Sequence, residues 1–414
     1  MRIAYFFSSF PRLSETFIQR EVNKLEDLGL NPVFLANRPP TSGEFHPNDK
    51  DLIGRTFYLT PIRIKRYAKS NLKILFKYPL RYIKGLILAL TLTDNFAWQR
   101  PRNLAWLAGA AVLSEYLYKK KVSHVHVHFA YGAAGVAIFL KALSGIPYSL
   151  SIHGSDVLLP ERLTEKKLVY AQFIISNCQF HIQNLKNRFA SLLRKRFSLV
   201  RIGLDLRTDP WARTKPCTIG RYFRILNVAR LHPVKAQEVL ISACAHLKRR
   251  DVEFQCRIVG EGPMRQKLQA LIMEYNLQDS VELMGARYET EVANLFDWAH
   301  VMTLSSKSEG TPMTIIEAMA KARPVIVPDI TALQEMVVPG KTGYLFKSGS
   351  SRDLADKLEI LAEKPGLINR LGDAGRKRAE KLFDIDKNAE KLIDVFTKEV
   401  PSIGLKIKKD IEYF

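Results

Sequence analysis

The stretch MRIAYFFSSFPRLSETFIQREVNKLEDLGLNPVFL, residues 1–35, decides the fold class. Its apolar run at residues 3–7 predicts a buried strand, and Ile18, Val22 and Leu25 follow at helical spacing. A second apolar run at residues 32–35 completes a β-α-β order. This order predicts a parallel sheet whose crossover helices pack against its faces.

The same alternation continues along the chain in two series. The first predicts further strands at residues 124–129, 148–153, 173–176 and 198–202. The second predicts strands at residues 223–228, 253–259, 281–283, 301–304, 324–327 and 343–346. With 414 residues, the chain is too long for one core and suits two domains of about 200 residues each.

We therefore predict an α/β protein with two Rossmann-like, doubly wound parallel-sheet domains that face each other across a cleft. The first domain spans residues 1–204 and the second spans residues 222–385. The stretch between them, residues 205–221, has two prolines and little periodicity, which is typical of a linker. A basic helical tail, residues 386–414, follows, and we expect it to pack back on the first domain.

The amino-acid composition limits which binding partners and which cellular compartment we expect. The formal net charge is +22, with 63 Lys+Arg against 41 Asp+Glu, which indicates an anionic partner. None of the four cysteines forms a C-x-x-C pair, so we expect reduced thiols in a cytoplasmic protein. The longest apolar runs are far shorter than the roughly 18–20 residues of a membrane span, which predicts a soluble or peripheral protein.

The segment 63–121 concentrates the positive charge, with 13 Lys+Arg and 2 acidic residues. Aliphatic and aromatic residues are interleaved with the cations. This pattern favours an anionic membrane surface, where cations meet lipid head groups and apolar side chains enter the acyl boundary. The alternative is a set of ordinary solvated helices on the sheet. Nucleic acid is not expected, because no recognition motif accompanies the charge.

Two glutamates stand eight residues apart in SKSEGTPMTIIE, residues 306–317. Glu309 lies in the loop after a predicted strand and Glu317 lies in the following helix. The helix N-terminus is a natural seat for a phosphate, and the carboxylates can accept sugar and ribose hydroxyls. A surface glutamate plus a helix glutamate is the alternative. The backbone at this N-terminus is formed by Gly310, Thr311, Pro312, Met313 and Thr314.

Two cations, Arg230 and Lys235, flank a turn in NVARLHPVK, residues 227–235, after the first strand of the second domain. They could neutralise a diphosphate and stabilise a departing nucleotide without a metal. They could also be two ordinary surface cations. The turn Gly260-Glu261-Gly262-Pro263 lacks a third glycine, so a helix cap with Pro263 at the first helical position is the favoured interpretation.

Histidines follow two strands of the first domain. His153 and Asp156 stand in SIHGSD, directly after a predicted strand, where a histidine can donate a hydrogen bond to a sugar. In HVHVHF, residues 124–129, alternate positions put three histidines on one face. No carboxylate completes a metal site there. We therefore expect no metal, and we interpret His128 as a cleft residue and the other two as structural.

These motifs resemble glycosyltransferase family 4, the retaining enzymes of GT-B fold, over most of the chain. The resemblance is densest at residues 227–346, where the paired glutamates precede an EAMA helix. It implies sugar contact for Glu309, ribose contact for Glu317 and diphosphate contact for Arg230 and Lys235. It also implies that His153 lies beside the donor sugar.

The start FPRLSETFI, residues 10–18, is similar to the branch of colanic-acid and amylovoran exopolysaccharide glycosyltransferases. Three departures from the family pattern stand out. The first loop carries Ser14 and Glu15 instead of glycines, which indicates an acceptor-side role for them, together with His128 and Asp156. Arg323 replaces a usual glycine. The segment ITALQE, residues 330–335, lacks the usual glycine pair.

The resemblance implies a hexosyltransferase that uses a nucleotide-sugar co-substrate and no further cofactor. The sequence does not name the nucleotide, and we expect uridine rather than guanosine. The expected acceptor is a lipid-linked saccharide in polysaccharide biosynthesis, at the inner face of the cell membrane. Two alternatives stay open. One is a sugar phosphorylase or a nucleotide-sugar epimerase on the same fold. The other is a non-enzymatic basic module that binds membranes or polyanions.

Overall fold

The chain divides into two compact units, residues 1–201 with 389–414 and residues 202–388. The structure is a computed structural model that describes residues 2–12, 15–41, 43–45, 49–93, 99–154, 163–208, 210–212, 216, 218 and 220–401. Each unit contains one parallel sheet between helices. The predicted class, two doubly wound α/β domains, is confirmed.

Seven parallel strands form the first sheet, in the order β3-β2-β1-β4-β5-β6-β7. The strands are β1 Arg2–Ser9, β2 Val33–Arg38, β3 Phe57–Tyr58, β4 Val122–His128, β5 Tyr148–Ile152, β6 Ile174–Ser176 and β7 Phe197–Leu199. The order reverses between β1 and β4, which pair directly. The carboxyl ends of these two strands therefore flank the crevice where such sheets bind ligands.

Helices cover both faces of this sheet because alternate residues of β1 are buried on opposite sides. Ala4 and Phe6 join one core, whereas Tyr5 and Phe7 join the other. The described helices of the unit are Thr16–Asp27, Lys50–Arg55, Ile64–Lys77, Pro79–Thr91, Gln99–Lys119, Gly132–Ser144, Thr164–Tyr170 and Gln179–Arg188. A short 3₁₀ turn, Ala190–Leu192, precedes β7.

Six parallel strands form the second sheet, in the order β10-β9-β8-β11-β12-β13. They are β8 Phe223–Val228, β9 Phe254–Val259, β10 Val281–Gly285, β11 Val301–Thr303, β12 Val325–Pro328 and β13 Gly343–Phe346. The helices are Gln237–Arg249, Arg265–Glu274, Glu289–Trp298, Met313–Ala320, Thr331–Gln334, Ser351–Glu363 and Pro365–Leu382. The order reverses between the paired strands β8 and β11.

A last helix, Ile385–Glu399, carries the chain from the second unit into the first. Its residues Leu392, Ile393 and Phe396 are buried in the core that contains β1. The Phe396 ring meets the Tyr5 ring edge-on at a centroid distance of 6.4 Å. The described tail is thus part of the first unit's core, and residues 402–414 lie outside the described residues.

The described residues of the segment interpreted as a linker, 205–221, belong to the second unit. Leu206 and Trp211 are buried in its core. The Trp211 indole donates to Glu289 Oε1 at 2.6 Å, and Arg376 donates to the Trp211 carbonyl at 3.1 Å. A buried indole anchors this stretch, whereas its prolines and charges alone suggested a linker.

None of the described helices is both long enough and apolar enough to cross a bilayer.

Candidate active site

The candidate site of the second unit lies where its strand order reverses. Strand β8 leads into residues 229–236, and its neighbour β11 leads into residues 304–312. Because β8 and β11 are parallel neighbours, both loops leave the same edge of the sheet. These loops carry Arg230, Lys235 and Glu309, so the fold brings the two sequence motifs together.

Lys235 and Glu309 form a close ion pair, although 74 residues separate them in sequence. Lys235 Nζ lies 2.6 Å from Glu309 Oε1, and the side chains are only 17% and 8% exposed. Ser306 Oγ donates to the same oxygen at 2.6 Å, and Ser305 Oγ donates to the Lys235 carbonyl at 3.0 Å. The ion pair and the two serine hydrogen bonds hold the Lys235 and Glu309 side chains in place before any ligand binds.

Arg230 is exposed, but its backbone is held on both sides. Gln237 Nε2 donates to the Arg230 carbonyl at 3.0 Å. Gly260 and Gly262 have φ values of +142° and +154°, and an added Cβ would lie 2.0 Å from the Ala229 oxygen and 2.3 Å from the Leu231 oxygen. Only glycine permits this approach, so the turn supports the Arg230 loop.

The expectation that Pro263 begins a helix is wrong. The helix begins at Arg265, and Met264 is its N-cap residue. The Met264 amide donates to the Leu231 carbonyl at 3.1 Å, which joins this turn to the Arg230 loop. The spacing of Gly260 and Gly262 therefore reflects contact of their turn with the Arg230 loop, which sequence periodicity does not reveal.

Helix Met313–Ala320 begins beside Glu309 with no side chain capping its first turn. Thr311 is buried, and its Oγ1 has no hydrogen-bond partner among the residues that the structure describes. Glu317 is 9% exposed, in the second turn of the helix. Uncapped amides, a buried hydroxyl and the positive end of the helix dipole together can receive an anionic group.

Backbone strain follows directly after Lys235. Ala236 has a φ of 48° and is the N-cap residue of helix Gln237–Arg249. A Cβ in this left-handed region costs about 1 kcal/mol, and glycine is also the better N-cap. We expect Ala236→Gly to raise the free energy of unfolding by about 0.5–1 kcal/mol in urea denaturation.

The matched control is Ala243→Gly, a buried position in the middle of the same helix. Ala236 and Ala243 are both buried, but Ala243 has no left-handed strain to relieve, so its replacement should lower the free energy of unfolding by about 1 kcal/mol through helix propensity. Destabilisation by Ala236→Gly would contradict the strain argument.

In the first unit, His128 and His153 lie at the carboxyl ends of β4 and β5. His128 Nδ1 and His153 Nε2 are 3.1 Å apart, and the rings stack at 5.3 Å. Burial, and secondarily His181, lowers the pKa of His153 to about 3. Burial also lowers the pKa of His128 well below its usual range. Both rings are therefore neutral at neutral pH.

His124 and His126 have ordinary structural partners. His124 Nε2 and His126 Nδ1 both lie 2.8 Å from Ser149 Oγ, and His126 Nε2 lies 2.9 Å from Ser151 Oγ. Among the described residues, no group of three side chains could hold a metal ion.

The acceptor-side residues of the first loop are only partly described. Glu15 Oε1 lies 3.2 Å from Arg12, and burial outweighs this cation and raises the pKa of Glu15 to about 7. Ser14 and Asp156 lie outside the described residues. Sequence analysis did not single out Ser306, although it is the first residue of the motif at residues 306–317.

The chain is similar in sequence to known glycosyltransferases. Residues 215–378 match the model of the family "Glycosyl transferases group 1". The chain is 29% identical to the putative colanic acid biosynthesis glycosyltransferase WcaL of Escherichia coli (strain K12), over 88% of this chain and 91% of the relative. It is 24% identical to the amylovoran biosynthesis glycosyltransferase AmsK of Erwinia amylovora, over 93% and 96%.

Solved structures share the fold along nearly the whole chain. Sucrose-phosphate synthase from Thermosynechococcus elongatus has a TM-score of 0.74 at 19% identity, over 97% of this chain and all of that one. HepE of Anabaena in complex with UDP-glucose has a TM-score of 0.71 at 16% identity, over 96% of this chain and all of that one. These likenesses identify the fold as GT-B.

Proposed function

Because residues 215–378 match the model of the glycosyl transferases group 1, we propose that this chain is a retaining enzyme that transfers a sugar from a nucleoside-diphosphate sugar to a saccharide hydroxyl. One observation carries the proposal. The Lys235–Glu309 pair stands at the reversal point of the second sheet, beside the uncapped helix Met313–Ala320.

The donor would bind along this edge of the second sheet. Arg230 and Lys235 neutralise the diphosphate, which also meets the amides of residues 310–314. Glu309 accepts hydroxyls of the transferred sugar and Glu317 accepts the ribose diol. HepE of Anabaena has been solved with UDP-glucose, which supports a uridine donor over a guanosine donor.

In the proposed reaction, the acceptor hydroxyl attacks the anomeric carbon from the face that the nucleotide leaves. The bond from the anomeric carbon to the phosphate oxygen breaks, and the departing phosphate takes the proton of the hydroxyl. Arg230 and Lys235 stabilise the negative charge that grows on the leaving group, without a metal.

The relatives indicate the process in which the enzyme acts. WcaL and AmsK are named for colanic acid and amylovoran biosynthesis, so we place this chain in exopolysaccharide biosynthesis. A lipid-linked saccharide is the proposed acceptor, and a basic, apolar surface of the first unit supports it.

That surface is formed by the helices Ile64–Lys77 and Pro79–Thr91. On the first helix, Ile64, Leu72 and Phe76 stand at multiples of four residues and are 79%, 53% and 80% exposed. Each is followed by a basic residue, namely Lys65, Lys73 and Lys77. On the second helix, the exposed apolar residues are Leu80, Ile83, Leu86, Ile87 and Leu90.

Both helices bury a second, narrower side in the first unit. Ser70 and Ile74 face inward on the first helix, and Gly85 and Ala89 do so on the second. An added Cβ at Gly85 would lie 2.9 Å from Leu107, so the second helix packs closely. The outer apolar stripes thus remain exposed beside cations. This combination matches an anionic bilayer surface better than solvent.

We expect Leu72→Ser/Phe76→Ser to weaken binding to phosphatidylglycerol-containing vesicles at least tenfold, because two apolar side chains no longer enter the bilayer. Cosedimentation with vesicles measures this. Met273→Ser, at an exposed apolar position of the second unit, is the matched control and should bind like the wild type. Equal binding by all three proteins would contradict the membrane role.

The transfer proposal is tested with nucleotide sugars. A thermal-shift panel identifies the donor, since a ligand at 100 times its Kd adds about 2.7 kcal/mol of stability. Proton NMR of the product then gives the anomeric configuration, and inversion would overturn the retaining mechanism. Phosphate-dependent release of a sugar phosphate would indicate a phosphorylase, and conversion of the donor sugar alone would indicate an epimerase.

A further inference from the structure

A groove with a volume of about 690 Å³ lies along the outer edge of β7, the last strand of the first sheet. Its floor is the strand itself, Phe197–Leu199. Helix Gln179–Arg188 lines one side and the end of helix Ile385–Glu399 lines the other, because the two helices pack in the cores on opposite faces of the sheet. All of these residues belong to the first unit, which therefore forms the groove alone.

The backbone of β7 has hydrogen-bonding groups that its neighbour β6 does not use. The Arg196 carbonyl accepts from a β6 amide at 3.0 Å, and the Val200 amide donates to a β6 carbonyl at 2.9 Å. Successive residues of a strand direct these groups to opposite sides, so those of Phe197 and Leu199 point away from β6. They have no partner among the residues that the structure describes. The edge thus offers two donors and two acceptors, with the two residues about 6.6 Å apart.

The groove carries more positive charge than its own carboxylate balances. Four cations line it, Lys186, Lys195, Arg196 and Lys398, against one carboxylate, that of Glu399. Arg196 Nη1 lies 2.9 Å from Glu399 Oε2, so these two charges compensate each other. Within the described part of the chain, none of the three lysines has a carboxylate at ion-pair distance. Three positive charges therefore remain uncompensated beside the unpaired strand edge.

We propose that this groove binds an acidic, extended segment of a partner protein, which adds to β7 as a further strand. The backbone of the segment exchanges hydrogen bonds with Phe197 and Leu199, and its carboxylates meet the three lysines. An inorganic anion only accepts hydrogen bonds, so it would leave the two carbonyls of the edge unpaired. A second copy of this chain would bring the same cations to the groove, and like charges would repel it.

Lysines at a short sheet edge commonly keep other strands away, because an added strand would bury their charge. Lys186 is placed for such an effect, since its Nζ lies 5.4 Å from the centre of the Phe197 ring in β7. An acidic segment is the exception, because it brings carboxylates that pair with the same lysines. The charge of the groove therefore selects an acidic strand and disfavours neutral and basic ones.

The proposal is tested by fluorescence anisotropy with a short labelled peptide in which glutamate and valine alternate. The full chain should bind this peptide, and it should bind a version with lysine in place of glutamate at least about tenfold more weakly. N-methylation of the peptide amides should also weaken binding at least about tenfold, because it removes backbone hydrogen bonds and keeps the charges.

Two variants of the chain test the groove itself. Lys186→Glu/Lys398→Glu should bind the acidic peptide at least about tenfold more weakly. The matched control is Lys267→Glu/Lys341→Glu, at exposed positions of the second unit, which should bind like the wild type. Leu199→Pro removes an N–H that faces the groove and not β6, so it should abolish binding. If this variant does not fold in urea denaturation, the methylated peptide tests the same hydrogen bonds.

Three results would overturn the proposal. Failure of the wild type to bind the acidic peptide would show that the lysines only protect the edge. Equal binding of the methylated peptide would show that charge alone attracts the ligand. Binding that appears only in a chain ending at Pro401 would assign the groove to residues 402–414 instead. All three readouts are independent of transferase activity, so they are separate from the test of the proposed function.

Discussion

Replacing Glu309 by alanine is expected to lower kcat about a hundred- to a thousandfold, the usual effect of losing one preorganised polar contact to the transition state. The variant loses the proposed contact to sugar hydroxyls. It also leaves the Lys235 ammonium, only 17% exposed, without its carboxylate partner. The measurement is steady-state transfer with the donor that the thermal-shift panel identifies.

One further variant separates the charge of Glu309 from its shape, and a second serves as the control. Glu309→Gln keeps an oxygen that can accept from Ser306, so it should retain more activity than the alanine variant. Glu282→Ala removes a carboxylate that is 59% exposed on β10 and should leave kcat unchanged. Near wild-type turnover in Glu309→Ala would remove this residue from the catalytic site.

Replacing Lys235 by alanine is expected to weaken binding of the nucleoside diphosphate about a hundredfold, because one charge-assisted hydrogen bond to phosphate is lost. Isothermal titration calorimetry with UDP measures this loss directly. The exposed Lys267 of helix Arg265–Glu274 provides the control, and Lys267→Ala should bind UDP like the wild type. Equal UDP affinity in both variants would contradict a phosphate contact for Lys235.

The pair should also be coupled energetically. Lys235 and Glu309 are in direct contact, so each single variant disturbs the other side chain. The double variant should therefore lose less activity than the product of the two single losses. Independent effects would indicate that the ion pair does not organise the site.

Much of the fold could be predicted from sequence because buried strands leave local patterns. The bounds predicted for β8 and β13 agree with those of the structure. Strand β3 was missed, since two residues, Phe57–Tyr58, show no periodicity. The contacts of Trp211 could not be predicted, because its partners, Glu289 and Arg376, are distant in sequence.

Arg323 illustrates a limit of motif comparison. It replaces a usual glycine, yet it is almost fully buried. Its guanidinium donates to the Phe296 carbonyl at 2.9 Å and to the Asp297 carbonyl at 3.2 Å, near the end of helix Glu289–Trp298. These bonds satisfy carbonyls that a helix end leaves free. The departure has a structural cause that only the three-dimensional contacts reveal.

The candidate site could be predicted where charged side chains follow the carboxyl end of a predicted strand, as Lys235 and Glu309 do. The approach of Glu21 Oε1 to 3.7 Å from His128 Nε2 was not predictable, because Glu21 lies among polar residues of the amphipathic helix Thr16–Asp27 and no local motif marks it. Its position beside His128 depends on the packing of that helix against β1, with which it shares a core. Long-range contacts of this kind are invisible to spacing arguments.

The most direct test of the central claim is a crystal structure with a bound UDP-sugar, prepared in the presence of a chelator. The account predicts the diphosphate at the N-terminus of helix Met313–Ala320, within hydrogen-bond distance of Arg230 and Lys235 and without a metal ion. It predicts Glu309 on the sugar and Glu317 on the ribose. A nucleotide bound elsewhere, or a diphosphate that contacts neither cation, would contradict the account.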